Sequence, residues 1–214
     1  MEPKQKKHLE EHIPYRLAAV GGFRWFLEKL LDQAELSDVS MSVDGLAIQV
    51  RYYALTNALV DAGLAHGRAL CEFIGFVRKK GAGALSAAGR TKKSGDFWMS
   101  RIGRARKGGD FWIEDLHLPI VSPGAACEIG PESSVEIEDA LVYFLRTANT
   151  GVAHLTVGSS STDLRKLHLA THVISRLVTK HVYQPLNLES LLDKRHHPCP
   201  YAEASARLLS KSLC

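Results

Sequence analysis

The sequence predicts an all-α protein, an up-and-down helical bundle with a basic loop insertion. Three observations lead there. Apolar residues recur at three- and four-residue steps along most of the 214 residues, and alternating patterns are scarce. The composition, 45% apolar and 23% charged, is that of an ordinary globular chain and excludes disordered and fibrous classes. The length suits one helical domain over residues 1–214, with a core of about 23–184, the basic insertion at 78–107 and a C-terminal tail at 185–214.

The first predicted helix runs from Phe23 to Ala34 after a break at Gly21-Gly22, with Phe23, Phe26, Leu27 and Leu30 on one stripe. The second is long, from about Leu46 to Val77, and its stripe includes Val50, Tyr53, Leu59, His66, Leu70 and Phe73. Such a helix forms one arm of a bundle. In the insertion that follows, Lys93-Ser94-Gly95-Asp96-Phe97-Trp98 returns 14 residues later as Lys107-Gly108-Gly109-Asp110-Phe111-Trp112. Each copy predicts a short helix opening on its Asp as N-cap, with its aromatic pair packed on the bundle. His117 to Pro131, rich in Pro and Gly, predicts a loop.

The third helix opens at Ser133, where Glu136 completes the spacing of a capping box, and extends towards His154. The fourth starts near Thr162, with Asp163 in its first turn, and turns Leu164, Leu167, Thr171, Ile174, Leu177 and Val178 inward until Pro185 stops it. A short terminal helix is predicted over Tyr201 to Leu213.

Charge is unevenly spread. Arg78, Lys79, Lys80, Arg90, Lys92, Lys93, Arg101, Arg104, Arg106 and Lys107 stand against Asp96 alone, so residues 78–107 carry +9. The whole chain carries only +4, which leaves −5 on the rest. A polyanion such as RNA would therefore meet the insertion: its cations neutralise phosphates, and Phe97, Trp98, Phe111 or Trp112 can stack on unpaired bases. No run of about 18 apolar residues occurs, and the charged N-terminus lacks the apolar centre of a secretory signal, so the expectation is a cytoplasmic protein with no membrane partner.

The four cysteines form no CxxC pair, and the HHPC stretch at His196, His197 and Cys199 lacks a second ligand pair, so neither a metal centre nor a cofactor is expected. Phosphate-loop, serine-hydrolase and zinc-protease motifs are likewise missing. Three polar clusters remain. His66 in the apolar stripe should point inward beside an Arg68–Glu72 pair. Asn149 and His154 should enter the core, His154 meeting His66 or Arg68 across a helix interface. Arg165, His168, His172 and Arg176 share one helix face, where histidine can move a proton near neutral pH and arginine can stabilise a transferring phosphoryl group.

The spacing from Arg165 to His172 resembles the Arg-x(4 to 6)-His motif of the HEPN superfamily. That resemblance implies a compact all-α bundle, often dimeric, with metal-independent ribonuclease activity in toxin–antitoxin or phage-defence systems. Residues 46–184 are also similar to a set of uncharacterised bacterial helical proteins that share a His-x-Arg-x-Leu-x-x-Phe helix, here His66 to Phe73, and an Asn-x(4)-His-Leu-Thr segment, here Asn149 to Thr156. That second likeness implies no established activity and moves the candidate centre to His66, Arg68, Asn149 and His154. The duplicated Asp-Phe-Trp stretch and the basic insertion depart from its pattern. Two readings stand: an HEPN-like, RNA-directed protein that acts as a homodimer or is held by a neutralising protein partner, and a non-catalytic helical interaction module built on a His/Arg/Asn polar core.

Overall fold

A computed structural model describes residues 1–32, 39–43, 46–50, 52–76, 111–150 and 163–195. The basic insertion at 78–107, His154, the first Asp-Phe-Trp copy, the HHPC stretch and the terminal segment 201–213 lie outside the described residues.

The chain opens with α1 (Pro3–Lys7), a π-helical turn (His8–His12) and α2 (Ile13–Leu31), followed by a hairpin of β1 (Val39–Val43) and β2 (Leu46–Val50). Then come α3 (Tyr52–Ile74), a 3-10 turn (Ile113–Leu116), α4 (Pro123–Cys127), α5 (Ser134–Thr150), α6 (Leu164–Val178), a second π-helical turn (Thr179–Tyr183) and α7 (Glu189–Arg195). Four long helices make the bundle. α2 packs on α3 and α6, α5 packs on α6 and α3, and α3 meets α6 across the centre. The apolar stripes of α5 and α6 point where the 3.6-residue period places them, burying Ile137, Leu141 and Phe144 of α5 and Leu167, Ile174 and Leu177 of α6, whereas in α3 Leu70 and Phe73 of the expected stripe are buried, Leu59 and His66 are only half-buried, and Val60 and Leu64 take the core positions. No helix among the described residues is long and apolar enough to cross a membrane.

Both expected helix starts on the third and fourth arms are present. Ser133 N–H donates to Glu136 Oε2 at 3.0 Å while Ser133 Oγ accepts from Glu136 N–H at 3.3 Å, the reciprocal capping box. Asp163 is the N-cap of α6 and accepts from Lys166 N–H at 3.1 Å. Lys166 then reaches back to Asp139 of α5 at 2.7 Å, and Tyr143 Oη accepts from Asp163 N–H at 2.8 Å. The two arms are thus joined at this end of the bundle as well as through their apolar faces.

Several expectations are corrected. Gly21-Gly22 breaks nothing: α2 runs through both, and Gly22 is buried where a Cβ would stand 3.4 Å from Leu59 of α3. The core starts well before residue 23, with Leu9, Ile13, Leu17 and Val20 buried, and it ends beyond 184, because α7 in the expected tail buries Leu192. The long second arm, α3, starts at Tyr52, six residues late, since Leu46–Val50 pairs antiparallel with Val39–Val43, Val43 opposite Leu46 and Val39 opposite Val50. The expected 117–131 loop holds α4, where Ser122 Oγ accepts from Ala125 N–H at 3.2 Å and Pro123 supplies a pre-set first helical position.

The second Asp-Phe-Trp copy also differs from expectation. Its helical turn starts only after Trp112, whose N–H donates to Asp115 Oδ2 at 2.8 Å; Asp110, the expected N-cap, lies outside the described residues. Phe111 does pack on the bundle. Its ring stacks on His8 at 3.9 Å between centroids and lies parallel to Phe73 at 6.1 Å. The His8 ring already occupies one face of Phe111.

Candidate functional site

The expected centre on His66, Arg68 and Asn149 does not assemble among the described residues. His66 is half-buried at the α2–α3 edge, its ring at 5.0 Å from Tyr15 in an edge-to-face arrangement. Arg68 makes the ion pair its spacing predicts, Nε to Glu72 Oε1 at 2.9 Å. Asn149 is exposed on α5 rather than entering the core. Arg165, exposed, and His172, half-buried, share one face of α6, about 10 Å apart along the axis at 1.5 Å per residue, so one chain does not bring them into contact.

Side chains converge instead where α6 crosses α2. His168, His172 and Arg176 repeat every four residues down one face of α6, and Lys180 of the following π-helical turn continues the row. Opposite them, Arg24 and Glu28 of α2 are also four apart, with Arg24 Nε 3.6 Å from Glu28 Oε1. The facing residues meet in pairs. His168 Nε2 is 3.1 Å from Glu28 Oε1, and Arg24 Nη1 is 3.2 Å from His172 Nδ1. Arginine can only donate, so His172 Nδ1 carries the lone pair and its proton sits on Nε2. By the same argument Glu28 accepts from Nε2–H of His168, which leaves Nδ1 as the second nitrogen of that ring.

Beyond His172 the helices part around an open cleft of about 300 Å³. Arg24, His172, Arg176 and Lys180 line it together with Ser175, Thr179 and Gln184, and Ile129 gives it an apolar wall. Glu132, in the connection from α4 to α5, approaches Arg176 with Oε2 3.7 Å from Nη1, beyond hydrogen-bond range. Both atoms are buried, and neither has a hydrogen-bond partner among the described residues. Charge holds this pair without a bond. Sequence spacing had signalled the α6 row, but Arg24 and Glu132 come from other elements and carried no local signal.

Burial holds His172 below the usual histidine range, and the Arg176 and Arg24 guanidinium groups add to the shift against an opposing pull from Glu132. His172 is therefore neutral at pH 7. His8, His66 and His181 are shifted the same way, in each case first by burial. The unfolded chain then binds protons near pH 6.5 that the folded chain refuses, so stability rises with pH through the window below 6.5 and is lost as pH falls through it. Thermal denaturation is expected to show a melting temperature that is flat above about pH 7 and drops between about pH 6.5 and 5. A flat profile across that window would show that these imidazoles are not held neutral by the fold.

Among the described residues no group of three or more His, Cys, Asp or Glu side chains is placed to hold a metal ion. Burial pushes the Cys71 thiol far up, so it stays protonated in the core. No protein-family model, curated protein or solved structure matches this chain.

Proposed function

We propose that this protein is an RNA-directed helical bundle that cleaves phosphodiester bonds without a metal ion, as its HEPN resemblance implies, with the α2–α6 cleft as the reacting site. The observation that carries the reading is the Arg24–His172 contact inside a cationic cleft. A neutral imidazole with its lone pair covered by arginine is a base in waiting. An entering phosphate draws Arg24 towards its oxygens, and Nδ1 of His172 is uncovered to take the proton of the attacking 2′-hydroxyl; the 2′-oxygen bonds to phosphorus, the P–O5′ bond breaks, and the departing 5′-oxygen takes a proton from water, leaving a 2′,3′-cyclic phosphate. Arg24 and Arg176 then face the charge that builds on the phosphoryl group. The +9 insertion supports the same reading at the level of sequence, as a second place for the RNA backbone.

Purified protein is expected to cleave single-stranded RNA in EDTA, with a rate that rises with pH below about 6.5 and levels above it as His172 loses its proton. His172→Ala is expected to lower that rate by about 100-fold or more while the far-ultraviolet circular dichroism stays that of the parent. Cleavage that disappears in EDTA, or a His172→Ala variant as fast as the parent, overturns the reading. Folded protein with no cleavage at any pH returns the assignment to a non-catalytic interaction module.

A further inference from the structure

The cleft contains acceptors as well as donors, and their placement is informative. Ser175 Oγ donates its hydrogen to Thr171 C=O at 3.0 Å, and Thr179 Oγ1 donates to Ser175 C=O at 3.1 Å. Each hydroxyl has one hydrogen and two lone pairs, so with the hydrogen committed to the helix backbone each presents only lone pairs to the cleft. A bare phosphate, which is all acceptor at its ionised oxygens, has nothing to give them. A ligand hydroxyl has. The cations lie on either side: Arg24 on α2, Arg176 and Lys180 along α6 and the turn that follows it. The carboxylates that face the row are Glu28, tied to Arg24 and His168, and Glu132, unbonded beside Arg176.

The volume agrees with a ligand larger than a single phosphate group. About 300 Å³ lies at the lower end of small-molecule sites, and Ile129 provides an apolar surface for a sugar or base to rest on. We infer that the α2–α6 cleft binds a phosphate ester bearing a hydroxyl beside the phosphate, the phosphate on Arg24, Arg176 and Lys180 and the hydroxyl donating its one hydrogen to Ser175 Oγ or Thr179 Oγ1. This inference rests on the reading of the cleft as a phosphate site and adds the hydroxyl that the site selects. A free nucleotide, a sugar phosphate and the end of an RNA strand all carry that chemistry.

Isothermal titration calorimetry on the full chain separates them, with adenosine 3′-monophosphate, its 2′-deoxy counterpart, ribose 3-phosphate and inorganic phosphate as probes. The ribonucleotide is expected to bind about tenfold more tightly than the deoxynucleotide, the worth of one net hydrogen bond. The combined Ser175→Ala and Thr179→Val changes are expected to bring the two affinities within about twofold of each other, and Arg176→Ala to weaken both by about tenfold or more. Ribose 3-phosphate matching the ribonucleotide identifies a sugar phosphate as sufficient; tighter ribonucleotide binding assigns Ile129 to the base. Equal affinity for the ribo and deoxy forms in the parent protein overturns the hydroxyl assignment. Ribonucleotide binding without RNA cleavage removes the catalytic proposal and leaves this one standing. Cleavage that depends on His172 with no measurable binding of any probe removes this inference alone.

Discussion

Replacing Tyr183 by Ala is expected to cost about 3–5 kcal/mol, the range for emptying a large aromatic site in a packed core. Tyr183 is among the largest fully buried side chains, and its hydroxyl donates to the Leu9 carbonyl at 2.8 Å across 174 residues of sequence. Both partners lie in π-helical turns, Leu9 in His8–His12 and Tyr183 in Thr179–Tyr183. The bond therefore pins the N-terminal end of the bundle to the end that carries Thr179 and Lys180 into the cleft. The Ala variant loses packing and leaves a buried carbonyl without this partner. Tyr183→Phe separates the two: it keeps the ring and forfeits the bond, with an expected cost of about 1–3 kcal/mol. Chemical denaturation of the three proteins gives both numbers. A Phe variant as stable as the parent would mean that the carbonyl is satisfied otherwise and the tie carries nothing; a Phe variant as weak as the Ala variant would mean that the bond, not the ring, dominates.

Tyr183 illustrates how far the sequence could be read. The 3.6-residue stripes of α5 and α6 marked their buried faces correctly, because a helix in a bundle has one consistent inside; the α3 stripe held at Leu70 and Phe73, while towards the start of the helix Val60 and Leu64 are buried in place of Leu59 and His66. The capping signal at Ser133 was equally local and equally sound, and Asp163, expected within the first turn of α6, stands just before it as the N-cap. The failures came where two periods compete or where the partner is remote. Val39-Ser40-Met41-Ser42-Val43 and Leu46-Ala47-Ile48-Gln49-Val50 alternate at period two around Asp44-Gly45, a hairpin signal hidden by the helical pattern that starts just afterwards. The α2–α6 cleft was half legible. The row His168, His172, Arg176 is visible in the α6 sequence, whereas Arg24 lies 148 residues from His172 and is recognised only once α2 crosses α6. Asn149 and His66, alike in type to a site, share no contact among the described residues; residue chemistry proposes a cluster, and only packing assembles one.

Helix crossing also decides the glycines, and four substitutions to Ala are expected to fall in a fixed order. In an exposed or roomy helical position Ala is favoured over Gly by about 1 kcal/mol. Gly21, with nothing within 4 Å of an added Cβ, is expected to gain close to that amount. At Gly22 the nearest atom is Leu59 Cδ2 at 3.4 Å, the end of a flexible side chain, so the gain shrinks towards zero. A Cβ on Gly67 would strike the tip of the Phe144 ring, which can tilt only at the expense of the α3–α5 packing, for a net loss of about 1 kcal/mol. Gly63 is the severe case. Its added Cβ would overlap the root of the Phe23 side chain, Cβ and Cγ included, and a root cannot rotate away; the α2 and α3 backbones must separate. Gly63→Ala is expected to cost about 2–3 kcal/mol in spite of its better helix propensity, and Gly63→Leu more than 3 kcal/mol, a large part of the total for a domain of marginal stability. Separating α2 from α3 also tilts Arg24, one residue after Phe23, away from His172, so Gly63→Ala is expected to weaken phosphate-ester binding as well as stability. Urea denaturation of the four Ala variants tests the order directly, and a Gly63→Ala protein as stable as Gly21→Ala would show that α2 and α3 do not cross at this glycine.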